Sequence, residues 1–396
     1  MSEENKNLNN EPAEAPVEKN EEAKKPLDKK NIIIIAAAAV VVVVAIVLAV
    51  VFGGGQPSDN NGGQGGATLN DYKLGLGVVV NLGSSKDGLA QNDTTVAAVV
   101  LDKDGKIVSC RIDVAQNKVT LNADGTLSIP ESFKTKMELG DDYGMAGKVD
   151  NNGDGVMKEW YDQTKAFETY VVGMTASEVK AIETELVNGH YIAKDTALLE
   201  AGCTIQITDF IEAVAKACED KHSVSFQANE FKLGVGINSY NDGSKAATAA
   251  TEDAEAISGS VQVYCDIAAS VVVDGKIVAS LNDAIQPKIA FDAEGKLGEK
   301  TFKGTKRELE GGYGMAGKVD NNGDGIMLEW FEQSAAFSAH VTGKTVADIK
   351  ALGAAENLQE KNGHMITKDE ALLNAGCTIQ ISGIVDVVVE AANNAR

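Results

Sequence analysis

Apolar positions along this chain follow three spacings, and each predicts a different element. Residues 32–52, IIIIAAAAVVVVVAIVLAVVF, form one unbroken run of 21 apolar residues. As a helix, such a run spans roughly 30 Å, the thickness of a bilayer's hydrocarbon core. It predicts one uncleaved transmembrane helix, since a signal peptide has a shorter apolar stretch and a small-residue cleavage site. The second spacing is strand-like. TTVAAVVL at 94–101 is β-branched and apolar, DKDG supplies a tight turn, and KIVSCRID alternates as a half-buried strand does. The third is helical. Trp160, Phe167 and Val171 fall on one stripe that Gly173 ends, and Phe210, Ile211, Val214 and Ala215 mark a closing helix. Thr175 followed by Glu178, and Thr345 followed by Asp348, have the spacing of capping boxes. Between the helices, CTIQI reads as a short strand.

The pattern occurs twice. YGMAGKVDNNGDG at 143–155 returns letter for letter at 313–325. Around it YKLGLGVVVN (72–81) answers FKLGVGINSY (231–240), and HYIAKDTALLEAGCTIQI (190–207) answers HMITKDEALLNAGCTIQI (364–381). A period this long excludes a solenoid and predicts two tandem modules, each large enough for its own core. The expected fold class is α+β: two copies of one module with antiparallel strands and packed helices, preceded by a single transmembrane helix. The expected boundaries are a disordered tail at 1–31, the membrane helix at 32–52, a Gly-rich linker at 53–66, and modules at 67–222 and 223–396.

Charge orients this arrangement. Lys24, Lys25, Lys29 and Lys30 precede the apolar run, and no Lys or Arg follows it until Lys73. The positive-inside rule then puts the tail in the cytoplasm and both modules outside, anchored to the membrane. Beyond the run lie 50 acidic and 30 basic residues. That balance argues against nucleic acid and suits a cation, a basic partner or plain solubility. The cysteines number five, without a CxxC pair, and read as buried free thiols.

Three repeated constellations carry candidate chemistry. The first is AGCTI at 201–205 and 375–379. Taken with the order of elements, it resembles the FMN-binding domain family of extracytoplasmic electron-transfer proteins. The resemblance implies that Thr204 and Thr378 accept FMN phosphate and that Gly202 and Gly376 admit the phosphate to the backbone. The family's Asp, six residues before the Thr, falls here on Leu198 and Leu372, and Cys203 and Cys377 replace its Ala. The second is DNNGDG, in which Asp150, Asn152 and Asp154, and again Asp320, Asn322 and Asp324, fit the first half of a calcium loop. Position 12 is Tyr161 or Phe331, so the loop fits an Asx turn as well, with Glu159 and Glu329 the substitute acids. The third joins Lys136, Glu138, Tyr143 and Trp160, answered by Lys306, Glu308, Tyr313 and Trp330. It reads as a flavin-stacking group or as an aromatic core beside a surface ion pair. His190 and His364 recur without ligand-spaced partners, and no catalytic triad, phosphate loop or dinucleotide fingerprint occurs. The expected function is a membrane-anchored FMN-binding-like electron carrier with a redox partner. The alternative is a non-enzymatic cell-surface binding protein, with calcium-stiffened modules facing a wall polymer or protein.

Overall fold

The computed structural model describes residues 69–396, apart from 149, 151, 152, 154, 156, 319 and 326. Copy one runs β1 (Asn70–Asn81), β2 (Leu89–Leu101), β3 (Ile107–Leu121) and β4 (Leu127–Ser128). Next come α1 (Lys136–Leu139), α2 (Trp160–Tyr170), α3 (Ala176–Lys180), the hairpin β5 (Thr184–Val187) and β6 (His190–Ala193), α4 (Thr196–Glu200) and α5 (Thr208–Cys218). Copy two repeats this after an added strand, β7 (Val224–Ala228). Its strands are β8 (Lys232–Asn241), β9 (Gly259–Val261), β10 (Val263–Val273), β11 (Lys276–Ile285), β12 (Lys288–Phe291), β13 (Leu297–Thr301), β14 (Leu358–Lys361) and β15 (His364–Thr367). Its helices are α6 (Lys306–Leu309), α7 (Trp330–Val341), α8 (Val346–Leu352), α9 (Glu370–Asn374) and α10 (Ser382–Asn393).

The long strands are apolar on both faces because both faces are covered. Along β2, Ala97, Val99 and Leu101 point to the helices of copy one. Val96, Ala98 and Val100 point the other way, onto Leu233, Val235, Ile237 and Ile267 of copy two. The two sheets therefore pack face to face with helices outside, in four layers. The close approach of each closing helix explains the repeated Leu-Gly-x-Gly at the first strand. A Cβ on Gly75 would lie 2.0 Å from the Ala217 carbonyl oxygen, and one on Gly234 would lie 1.9 Å from that of Ala391.

All strand pairing is antiparallel, in the orders β4-β3-β2-β1-β7, β11-β10-β8 and β13-β12-β9. The strand β7 crosses between copies: it belongs by sequence to copy two yet pairs with β1, Tyr72 opposite Phe226. Buried ions lock the same junction. The Arg307 guanidinium donates to both Asp220 oxygens at 2.7 and 2.6 Å, and Asp220 also caps the Leu76 N–H at 3.0 Å. Each copy has a core of its own, around Phe167 in one and Phe337 in the other, and the structure adds one apolar layer common to both.

Two expectations stand corrected. Among the described residues no helix is long and apolar enough to cross a membrane. The longest helices, α7 and α10, have 12 residues, about 18 Å of rise, and each buries only one face. The expected span at 32–52, with its tail and linker, lies outside the described residues. The fold class is thus α+β with antiparallel sheets, and the single-pass membrane assignment is not carried by it. CTIQI is not a strand either. Its N–H groups are bound one by one, Cys203 to the Leu198 carbonyl at 3.1 Å, Thr204 to the Gln163 side chain at 2.9 Å and Ile207 to the Tyr191 carbonyl at 3.1 Å, leaving no ladder to form.

Candidate functional site

In each copy a short helix and the start of a long one bring the repeated residues together. Thr135 caps α1 and Glu138 closes the capping box, at 3.2 and 2.7 Å; Thr305 and Glu308 do the same for α6 at 3.1 and 3.0 Å. Beneath each lies a buried aspartate that the sequence reading missed. Asp113 on β3 accepts the Val114 and Met137 N–H groups at 2.7 and 3.1 Å, and burial pushes its carboxyl up to about 7. Asp283 holds the Ala284 and Arg307 N–H groups at 2.8 and 3.1 Å, and burial raises it against the opposing Arg307 charge. The only signal in the sequence was an acid recurring at the equivalent place of β3 and β11.

The helix start then puts a lysine between two rings. Lys136 Nζ lies 5.0 Å from the Tyr143 centroid and 5.3 Å from that of Trp160. Lys306 stands 5.3 and 5.1 Å from Tyr313 and Trp330. These are cation–π contacts. Burial lowers Lys306, while Asp266, Asp283 and Asp242 pull it back up. Trp160 and Trp330 are only 2% and 4% exposed, so neither offers a face to a flavin. The expected ion pair within the group is absent: Glu138 serves the cap, and Glu308 meets Lys216 at 3.1 Å.

The flavin motif is closed over. Thr204 and Thr378 are 0% and 1% exposed, and each hydroxyl contacts a glutamine, Gln163 or Gln333, at 3.3 Å. Gly202 and Gly376 adopt left-handed φ of 89° and 86°, which accounts for glycine there without a phosphate. A Cβ on Gly202 would lie 2.7 Å from the Lys158 side chain. Leu198 and Leu372, where the family has Asp, are fully buried. Burial pushes the neighbouring Cys203 and Cys377 thiols up to about 12. All five cysteines are free. Beside the copy-one motif is an open cleft of about 540 Å³ lined by Lys158, Asp162, Lys165, Tyr170, Leu198 and Ala201.

The DNNGDG loops fold on their own aspartate. Asp150 accepts the Gly153 and Gly155 N–H groups at 2.7 and 3.1 Å, and Asp320 accepts those of Gly323 and Gly325 at 2.6 and 3.0 Å. Asn322 donates to Asp324 at 2.6 Å; Asn152 and Asp154 lie outside the described residues. Glu159 is spent on the Met145 and Ala146 N–H groups at 3.0 and 2.9 Å, and Glu329 on Met315 at 2.9 Å, so neither completes a cation shell. Among the described residues no group of three or more His, Cys, Asp or Glu is placed to hold a metal ion. His190 and His364 are exposed at hairpin turns. Nothing here supports FMN or calcium, and the flavoprotein and calcium assignments are withdrawn with the membrane one. No family model, curated protein or solved structure matches this chain.

Proposed function

We propose that the protein is a non-enzymatic binding protein that presents two copies of one loop. One observation carries this: one loop with an exposed tip has been kept letter for letter, where several core positions have not. Residues 143–155 and 313–325 are identical, and in both Ala146-Gly147-Lys148 and Ala316-Gly317-Lys318 are exposed. Buried positions at equivalent places have drifted, Cys110 to Ser280, Ile112 to Asn282 and Phe210 to Ile384. A core needs only volume and polarity matched to its neighbours, so drift there is tolerated. Tyr143, Met145 and Asn321 are held inward within the loop, but its exposed Ala-Gly-Lys tip has no core to satisfy. Its identity therefore speaks for a ligand that both loops contact.

The electron-carrier reading would need the Thr204 and Thr378 hydroxyls within reach of a transferase, and burial withholds them. The partner chemistry follows from charge: a formal net charge of −22 disfavours polyanions and favours basic or neutral surfaces.

The test is retention on insoluble wall polymer and on immobilised basic peptide. Wild type should be retained on one of them. Ala146→Trp or Ala316→Trp alone, which blocks the exposed tip without changing its charge, should weaken retention in part. Both together should weaken it about a hundredfold, since linked sites multiply their affinities. No retention of wild type, or equal retention of the double variant, would overturn the proposal.

A further inference from the structure

One end of copy two has been rebuilt at several adjoining positions. On copy one, Asn81 of β1 stands opposite Asp93 of β2. The corresponding pair on copy two is Tyr240 opposite Tyr264, with ring centroids 6.1 Å apart and edge to face. Two strand positions along, Thr95 is answered by Asp266, whose carboxylate occupies the space beside Gly383. Gly383 itself answers Asp209, so the acid has moved from helix to strand while staying at this corner. A Cβ on Gly383 would lie 2.0 Å from the Asp266 oxygen, so the two exchanges belong together.

The hydroxyls of the tyrosines are aimed at polar groups. Tyr264 donates to Gln262 at 3.1 Å, and Tyr313, from the lysine cage, donates to Gln286 at 3.3 Å. Tyr240 faces the Asp266 carboxylate. Tyr240 is 37% exposed and Tyr264 and Tyr313 are half-buried, so all three side chains reach solvent in part. Three of the chain's eight tyrosines gather here, although only 5% of its residues are aromatic. In copy one Tyr143 keeps the place of Tyr313, but the strand positions have no ring, and there Gln91 donates to Asp93 at 2.9 and 2.8 Å.

We propose that this corner of copy two is a binding site for a neutral, hydroxyl-rich sugar chain. Tyrosine rings give a rigid, partly apolar platform for the C–H faces of a pyranose. The exposed Gln286 supplies an amide that both donates and accepts, while Gln262, held by the Gly243 carbonyl and the Tyr264 hydroxyl, fixes the ring beside it. The exposed Asp242 beside the tyrosines repels anionic polymers. Tyr313 opens the repeated loop, but Tyr240 and Tyr264 lie outside it, and the site does not depend on the loop reading.

The experiment is calorimetric titration of the full chain with cellotetraose, maltotetraose, the tetramer of N-acetylglucosamine, and polygalacturonate. One neutral tetrasaccharide should saturate a single site with a Kd near or below roughly 1 mM. Tyr240→Asn with Tyr264→Asp, the residues that copy one carries, should weaken it at least about tenfold. Tyr264→Phe keeps the ring and should weaken it less, and Lys148→Glu should leave it unchanged. A thermal melt confirms that each variant folds. No neutral sugar bound at about 10 mM, preference for polygalacturonate, or undiminished binding by the folded double variant would overturn the proposal.

Discussion

The two copies meet through equivalent surfaces, and the two halves of that contact differ in charge. Where α5 of copy one reaches α6 of copy two, Lys216 pairs with Glu308 at 3.1 Å and donates to the Val78 carbonyl at 3.1 Å. At the corresponding place on α10, Lys216 is answered by Glu390, whose electrostatic neighbours are Glu138 and Asp113 of copy one. One half is an ion pair and the other gathers acids. Burial, then Glu138, pushes the Glu390 carboxyl up to about 7, and the Ile237 N–H opposes this only weakly at 3.5 Å. Duplication has thus preserved shape while leaving electrostatics free to diverge. Apolar packing sets shape and tolerates such changes at its rim.

The comparison breaks most completely if the copies are separated. Residues 67–222 and 223–396, expressed alone, should fail to fold. Each would expose half of the shared layer, Leu74, Leu76, Val78, Val96 and Val100 on one side and Leu233, Val235, Ile237, Ile267 and Val271 on the other. At roughly 1.5–3 kcal/mol per buried side chain, that loss is as large as a typical total stability of roughly 5–15 kcal/mol. Calorimetry of the whole chain should show one transition. Two resolved transitions, or a dispersed NMR spectrum from either half, would contradict a common core.

Removing the buried ion pair comes next. Arg307→Ala leaves Asp220 uncompensated at 6% side-chain exposure, which should cost about 3–5 kcal/mol in urea unfolding. Met137 and Asn394 hold the equivalent places in the other copy. The pair Arg307→Met with Asp220→Asn should therefore recover most of the loss. A double variant no better than the single would mean the two junctions are not interchangeable.

Thr204→Val and Thr378→Val should each cost about 1–3 kcal/mol, because each strips a buried glutamine of a partner. Equal losses would confirm that the two AGCTI turns do the same structural task; a loss confined to one copy would show that they have parted.

The smallest effect concerns pH. The Glu390 carboxyl is raised in the folded state, so that state holds its proton more tightly than the unfolded chain does. Its contribution is present below the ordinary carboxylate range and is lost as pH rises through about 7. Asp113, pushed up to about 7, and Asp266, to about 6, act in the same sense. Melting temperature should fall between about pH 5 and 8. Glu390→Lys, which copies Lys216, should flatten that fall by about 1 kcal/mol or less after solvent screening. A profile identical to wild type would show that Glu390 does not contribute to it.

The sequence by itself determined what rests on local geometry or on repetition. The turn at Asp104-Gly105, the helix beginning at Trp160 and ending before Gly173, and both capping boxes at Thr175 and Thr345 are written in neighbouring residues, and all are present. The duplication was equally plain. Only the tertiary structure decided what depends on partners distant in the chain. The alternate residues of β1, β2, β8 and β10 could equally have faced solvent or another sheet, because a strand's period of two marks a second face without saying what covers it. That β7 leaves its own copy to pair with β1 has no local signal. AGCTI read as an attachment motif, yet burial of Thr204 depends on Gln163, 41 residues earlier. The tyrosine corner joins Tyr240, Tyr264 and Tyr313 across two strands and a loop, and spacing along a chain does not record which residues the fold sets side by side.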